Sequence, residues 1–336
     1  MQSHSIPKCL LEQFAYEHLS TKSLRLWRYA KGRSPYPTAS PKTATRIDGF
    51  FADPENAQFE AQIEAGLARE IEDPVHKFIH QFSTRSFALS EIQRRQMTRY
   101  ILLLFHRSMA RREASRPMNE MMVKAMQRFL GNDRQLATVA AHWGLCAYFD
   151  GVRLNGLITS NHVVRSAQRY LDYYQTEESF RKTFTEGILR ARYSFDERIF
   201  NGEWRIVWTI QDDPFILSDS PVVTWERLGS RFSYGLGLHR PDVEILLPVS
   251  PTACLHILPD VGRTRPTLSP AVNHINVAQA AFAYRDCFAN QRKNEIDAIV
   301  QTHVSSVRIG KNSFTLPHLD YENLFYEVLM GMRTKY

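Results

Sequence analysis

Residues 215–226 read FILSDSPVVTWE, an apolar run interrupted by Ser218-Asp219-Ser220-Pro221. A proline donates no backbone hydrogen bond, so the interruption holds Asp219 out of any strand ladder. A carboxylate placed between two hydroxyls suits three kinds of chemistry: metal ligation, general-base work, or orientation of an imidazole. The same residue types also build an Asx or Ser/Thr turn, in which side-chain oxygens accept from nearby backbone N–H groups. The turn is the simpler account of the four residues alone.

Other polar residues extend the candidate set. His4, in HSIP, has a side chain suited to proton transfer or metal ligation, and equally suited to the edge of the helix that follows. Glu60 and Glu64 share a helical face, whereas Glu70 is six residues beyond Glu64 and is rotated away. Arg107 follows the apolar stretch Tyr100–Phe105 and lies four residues before Arg111. A guanidinium leaving a buried helix needs a carboxylate or phosphate partner, because an unpaired buried charge is costly. Anion recognition and an internal pair with a helix glutamate both satisfy that need. Arg95, Arg99 and His106 form a basic stripe on the same helix without the aromatic interleaving of a single-strand-binding surface.

These residues must be positioned by the elements around them. HSIPKCLLEQFA has helical spacing after Pro7, and SLRLWRYAK reads as a strand leading into the Pro- and Ser-rich loop RSPYPTASPK. From Gln58 to Phe82 the apolar residues keep a helical period, with a kink expected near Pro74. A second helix begins at an N-cap, Ser90, and should run to about Ser115. Helices are also expected at 118–130, 134–149 and 160–190, with NGLITSN as a connection. After Asn201 the runs EWRIVWTI, FILSDSPVVTW, VEILLPVS and ACLHILP are β-branched and aromatic, as strands are. NHINVAQAAFAY returns to helical character, RDCFAN reads as a strand, and ENLFYEVLMGM as an amphipathic helix.

Helices in one run and strands in another predict an α+β fold. A mainly helical part, about 58–190, should pack on a mostly antiparallel sheet drawn largely from a β-rich part at about 200–310. If the strand near Leu24 joins that sheet, residues 1–336 form a single interlocked domain.

Composition narrows the function classes. The 336 residues include 43% hydrophobic and 23% charged side chains, a globular balance. YILLLF is the densest apolar run, far short of the roughly 20 residues that span a bilayer, so a soluble, cytoplasmic protein without a membrane partner is expected. Cys9, Cys146, Cys254 and Cys287 form no C-x-x-C pair and read as reduced, mostly buried thiols. Phosphate-loop, dinucleotide-binding, zinc-protease and nucleophile-elbow signatures are all missing. The net charge of +7 favours an anionic partner such as nucleotide or nucleic acid, or a solvated basic surface.

Taken in order, these segments resemble a bacterial family, domain-of-unknown-function family 4238. The family's H-x-x-P start is matched by His4 and Pro7, with Leu10, Leu11 and Phe14 following. The next strand resembles LRLWRYAK, and Phe50-Phe51 stand at a short FY-like element. Its glutamate helix looks like Ile63-Glu64 with Leu67-Ala68-Arg69-Glu70, and its arginine helix end like Phe105-His106-Arg107-Ser108. Its S-D-N-P motif matches Ser218, Asp219 and Pro221, with Ser220 in place of asparagine. LPVSP stands at a PLSP-like strand end, and Asn276 and Arg285 match an asparagine before a helix and an arginine before a strand.

The resemblance implies that His4, Glu64, Glu70, Arg107, Asp219 and Asn276 act as one constellation. Two functions follow as expectations. In one, a metal-assisted hydrolase or phosphodiesterase acts on nucleotide or nucleic acid: Asp219 and Glu70 hold a divalent metal, His4, Glu64, Glu70 and Asp219 carry the catalysis, and Arg107, Arg111, Ser218 and Asn276 hold substrate. In the other, the same residues form a structural network in a non-catalytic module that binds an anionic ligand or nucleic acid.

Overall fold

The computed structural model describes residues 2–38, 40–48, 57–85, 88–113, isolated positions between 172 and 189, and then 195–228, 231–234, 243–259 and 269–306. The helices expected at 118–130 and 134–149, most of that at 160–190, the NGLITSN connection, the ENLFYEVLMGM helix and Cys146 lie outside the described residues.

At the N-terminal end, β1 (Gln2–His4) pairs antiparallel with β6 (Arg46–Asp48), with His4 opposite Arg46. Pro7 sits at the start of α1 (Lys8–Gln13), where its missing N–H costs nothing, and Leu10, Leu11 and Phe14 are fully buried. A hairpin of β2 (Tyr16–Glu17) and β3 (Leu24–Arg25) leads into β4 (Trp27–Ala30) and β5 (Arg33–Pro37), followed by the short helix α2 (Pro41–Ala44).

The expected helix from 58 to 82 is a composite. It comprises α3 (Ala57–Leu67), a π-helical turn (Ala68–Glu72), α4 (Asp73–Ile79) and a 3₁₀ turn (His80–Ser83). The Asp73 N–H donates to the carbonyl of Ala68, five residues back. Pro74 has no N–H to give to Glu70, and its ring crowds that carbonyl, so a widened turn just before the proline accommodates both problems. The expected kink is therefore a change of helix type.

Ser90 caps α5 (Glu91–His106) in a reciprocal capping box with Gln93. Tyr100, Ile101, Leu103 and Leu104 are fully buried, as an all-round apolar turn requires. The helix does not run unbroken to Ser115: it stops at Arg107, and Ser108 starts a fresh helical stretch by accepting the Arg111 N–H on its hydroxyl at 3.2 Å. A serine at this position competes for backbone donors and favours a cap over a helix interior.

The strands that follow are all antiparallel. After α6 (Glu197–Asn201) come β7 (Glu203–Trp208), β8 (Leu217–Ser218), β9 (Val223–Leu228), β10 (Arg231–Tyr234), β11 (Glu244–Ser250) and β12 (Ala253–Leu258). Then come α7 (Val272–Phe282), β13 (Asp286–Ala289) and α8 (Asn294–His303). One sheet has the order β10-β9-β11-β12-β7, and a second has the order β5-β4-β13-β8. The second sheet joins strands from both ends of the chain: Cys287 of β13 lies opposite Tyr29 of β4 on one side and Ser218 of β8 on the other. The fold is thus α+β, although the sheet region is less purely C-terminal than composition predicts. β11 and β12 are buried along their whole length, and α1, α3, α4 and α5 share one core with them.

Candidate functional site

The polar residues singled out by sequence fall into two separate groups. No hydrogen bond joins Ser218 or Asp219 to His4, Glu64 or Glu70 among the described residues.

The first group is centred on Arg107, 1% exposed at the end of α5. Its Nη2 donates to Glu64 Oε1 of α3 at 2.6 Å, and its Nη1 donates to Glu72 Oε1 at the end of the π turn, also at 2.6 Å. One guanidinium, itself buried, therefore spans two half-buried carboxylates. Burial raises the Glu72 pKa against the pull of Arg107, and Glu64 adds to the rise. The backbone N–H of His4 donates to Glu64 at 3.3 Å, while its Nε2 meets the Lys42 carbonyl at 2.7 Å. Tyr100 and Cys9 are in contact beside this trio, at 3.7 Å. Burial pushes the Cys9 thiol up to about 12, so it is an inert thiol and not a nucleophile.

Glu70, two residues before Glu72, has a different partner. Its carboxylate pairs with the exposed Arg69, its chain neighbour, at 3.4 Å. Glu72 takes the place expected of it. The signal was available in the spacing: eight residues from Glu64 is slightly more than two helical turns, whereas six is well off the shared face.

The second group surrounds Ser218-Asp219-Ser220-Pro221. Asn276 and Gln279, three apart on α7, clasp this segment. Asn276 accepts the Ile216 N–H at 3.0 Å and donates to the Pro214 carbonyl at 2.9 Å. Gln279 accepts from the N–H and the hydroxyl of Ser218 at 3.0 and 2.9 Å, and donates to the Pro221 carbonyl at 2.9 Å. Gln279 was missed by sequence reading, although a buried amide one turn after Asn276 is the pattern that would find it.

Asp219 accepts three backbone N–H groups in the corner between α7 and β13: Tyr284 at 2.7 Å, Arg285 at 2.8 Å and Asp286 at 3.0 Å. Burial pushes its carboxyl up to about 6, opposed by those amides. Beside it, Asp286 receives Arg28 of β4 through Nε at 2.8 Å and Nη2 at 2.5 Å. Of the two carboxylates expected to hold a metal, Asp219 accepts from those three amides and Glu70 pairs with Arg69. Among the described residues no group of three or more His, Cys, Asp or Glu could hold a metal ion.

Between the two groups lies an open cleft, with about 280 Å³ of empty space including open solvent. Phe105, Ser108 and Arg111 line one side, and Ser220, Val222, Thr224 and Phe282 the other. The Arg111 guanidinium lies over the Phe105 ring, 4.6 Å from its centroid. Burial lowers the Arg111 pKa, and no carboxylate among the described residues offsets that cost. The Ser220 hydroxyl is buried with no hydrogen-bond partner, unlike that of Ser218. Elsewhere on α5 the basic residues lie against aromatic rings: Arg94 over Trp204 at 5.0 Å, and Arg95 over Phe195 and Phe200 at 4.8 Å each.

The three buried cysteines among the described residues, Cys9, Cys254 and Cys287, are free thiols. No described helix is long and apolar enough to cross a membrane. Comparison with known proteins gives one family match: the model described as "Protein of unknown function (DUF4238)" covers residues 2–293. No curated protein and no solved structure matches the chain.

Proposed function

The chain belongs to the DUF4238 family, proteins of unknown function, and on that premise we propose that it binds an anionic ligand without transforming it. The observation that carries this reading is Arg111: a partly buried guanidinium, lying over the Phe105 ring, that lines a cleft with no carboxylate beside it among the described residues. A partly buried cation with no counter-charge beside it loses hydration, and an incoming anion offsets that loss.

The acid and base candidates support the same reading by being committed elsewhere. Asp219 is engaged by three amides, Glu64 and Glu72 by Arg107, and the His4 ring by the Lys42 carbonyl. A hydrolase would need one of them to reach a substrate proton or a metal. Nucleotide and nucleic acid remain within the proposed ligand class, and a cytoplasmic setting is part of the same proposal.

The test is equilibrium binding of orthophosphate, AMP, a short oligonucleotide and simple carboxylates, followed by thermal shift and calorimetry. At least one should bind saturably, and Arg111→Met should abolish that binding while the protein stays folded. Parallel incubation of nitrophenyl phosphates and oligonucleotides with Mg²⁺ or Mn²⁺ should yield no product. Turnover that Asp219→Asn or Glu64→Gln abolishes in a folded protein would replace this reading with the hydrolase.

A further inference from the structure

The geometry points to a narrower ligand class: we propose that the Arg111–Ser220 cleft takes the carboxylate of a small molecule with an apolar tail. This rests on the anion-binding reading above and adds the identity of the anionic group and of its flank.

The charge count comes first. Arg111 is the sole cation among the described lining residues, and the other polar groups there are the hydroxyls of Ser108, Ser220 and Thr224. A carboxylate brings one negative charge, which a single guanidinium neutralises. A phosphate monoester brings nearly two at neutral pH and would leave one uncompensated in a partly dry cleft.

Shape comes second. The Arg111 guanidinium lies over the Phe105 ring, 4.6 Å from its centroid, a contact that uses its face and not its N–H groups, and a guanidinium edge matches a planar carboxylate by two parallel hydrogen bonds. The Ser220 hydroxyl can donate to the same group. Its oxygen is buried and without a partner, while its backbone N–H and carbonyl are both occupied by the Ser218 hydroxyl. Ser108 is a weaker donor to a ligand, because its hydroxyl already donates to the Phe105 carbonyl at 3.3 Å and caps Arg111.

The remaining lining is Phe105, Val222 and Phe282, which offers apolar surface and no further charge. The enclosed part of the cleft has room for about one small polar group, so only the carboxylate head enters and the tail lies along the apolar rim.

The experiment is titration calorimetry of the full chain with hexanoate, benzoate, orthophosphate and AMP. Hexanoate or benzoate should bind, with orthophosphate and AMP at least about tenfold weaker, a difference of roughly 1.4 kcal/mol. Arg111→Met, which keeps an apolar stem over Phe105, should abolish the carboxylate signal. Ser220→Ala, which removes only the unpartnered hydroxyl, should weaken it by about threefold to tenfold. If orthophosphate or AMP binds as tightly as the carboxylates and depends on Arg111, the carboxylate class is overturned and anion binding survives. If no anion shows Arg111-dependent binding to a folded protein, both readings fall.

Discussion

The Arg107 group and the Ser218–Pro221 group are both buried and polar, yet they satisfy their charges differently. In the first, side chain meets side chain: one guanidinium answers Glu64 and Glu72 across three helical segments. In the second, side chains meet the backbone: Asp219, Asn276 and Gln279 fasten N–H and carbonyl groups at the ends of β8 and β13 and in the turns beside them. Damage to the first should therefore leave a stranded charge, and damage to the second should free a stretch of main chain. The cleft between them holds what neither group uses, the Arg111 guanidinium and the Ser220 hydroxyl.

The comparison would be sharpened most by Arg107→Met. It leaves two half-buried carboxylates without their shared cation, and should cost about 3 kcal/mol in denaturant unfolding. The triple variant with Glu64→Gln and Glu72→Gln should recover much of that loss; a single variant costing under about 1 kcal/mol would mean the trio is not a buried charge network. Asp219→Ala comes next, at about 2–4 kcal/mol, because three amides lose their acceptor together. Hydrogen exchange at 284–286 should rise with it, and unchanged exchange there would contradict a backbone-fastening role.

The same carboxylate gives a pH signature. Its folded-state pKa is raised to about 6 from the ordinary 3.8, so its stabilising contribution is fully present below about pH 3.8 and lost as pH rises through about 6. The stability advantage of the wild type over Asp219→Asn should accordingly shrink between pH 4 and 6.5. An advantage that grows over that window would mean the three amides outweigh burial. The smallest expected effect separates two neighbouring serines: Ser218→Ala should cost about 1–2 kcal/mol, whereas Ser220→Ala should be neutral or stabilising by up to about 1 kcal/mol. Equal losses at both positions would erase the distinction on which the cleft depends.

Much of the local structure was legible in the sequence. Ser90 marked the start of α5, Pro7 the start of α1, and the β-branched and aromatic runs after Asn201 became β7, β9, β11 and β12. The break in FILSDSPVVTWE was legible too, since Pro221 and the turn-forming side chains require it. Less visible was the end of α5, where Ser108 capped a new helix instead of continuing the old one. The pairing of Glu72 with Arg107 was less visible too, because it depends on the π turn that brings Glu72 beside Glu64.

The sequence by itself determined where the elements run and which residues could do chemistry, because periodicity, caps and prolines act over a few residues. It did not determine which of those residues would meet. Pairing β13 with both β4 and β8 brings Arg28 against Asp286 from 258 positions away, and clasping by α7 turns Asp219 toward the amides of 284–286. Only the tertiary structure decides whether a buried polar group finds its partner, and so which hydroxyl and which guanidinium are left to face a ligand. The reason is physical: desolvation makes every buried charge seek the nearest complement, and nearness in the fold bears no relation to nearness along the chain.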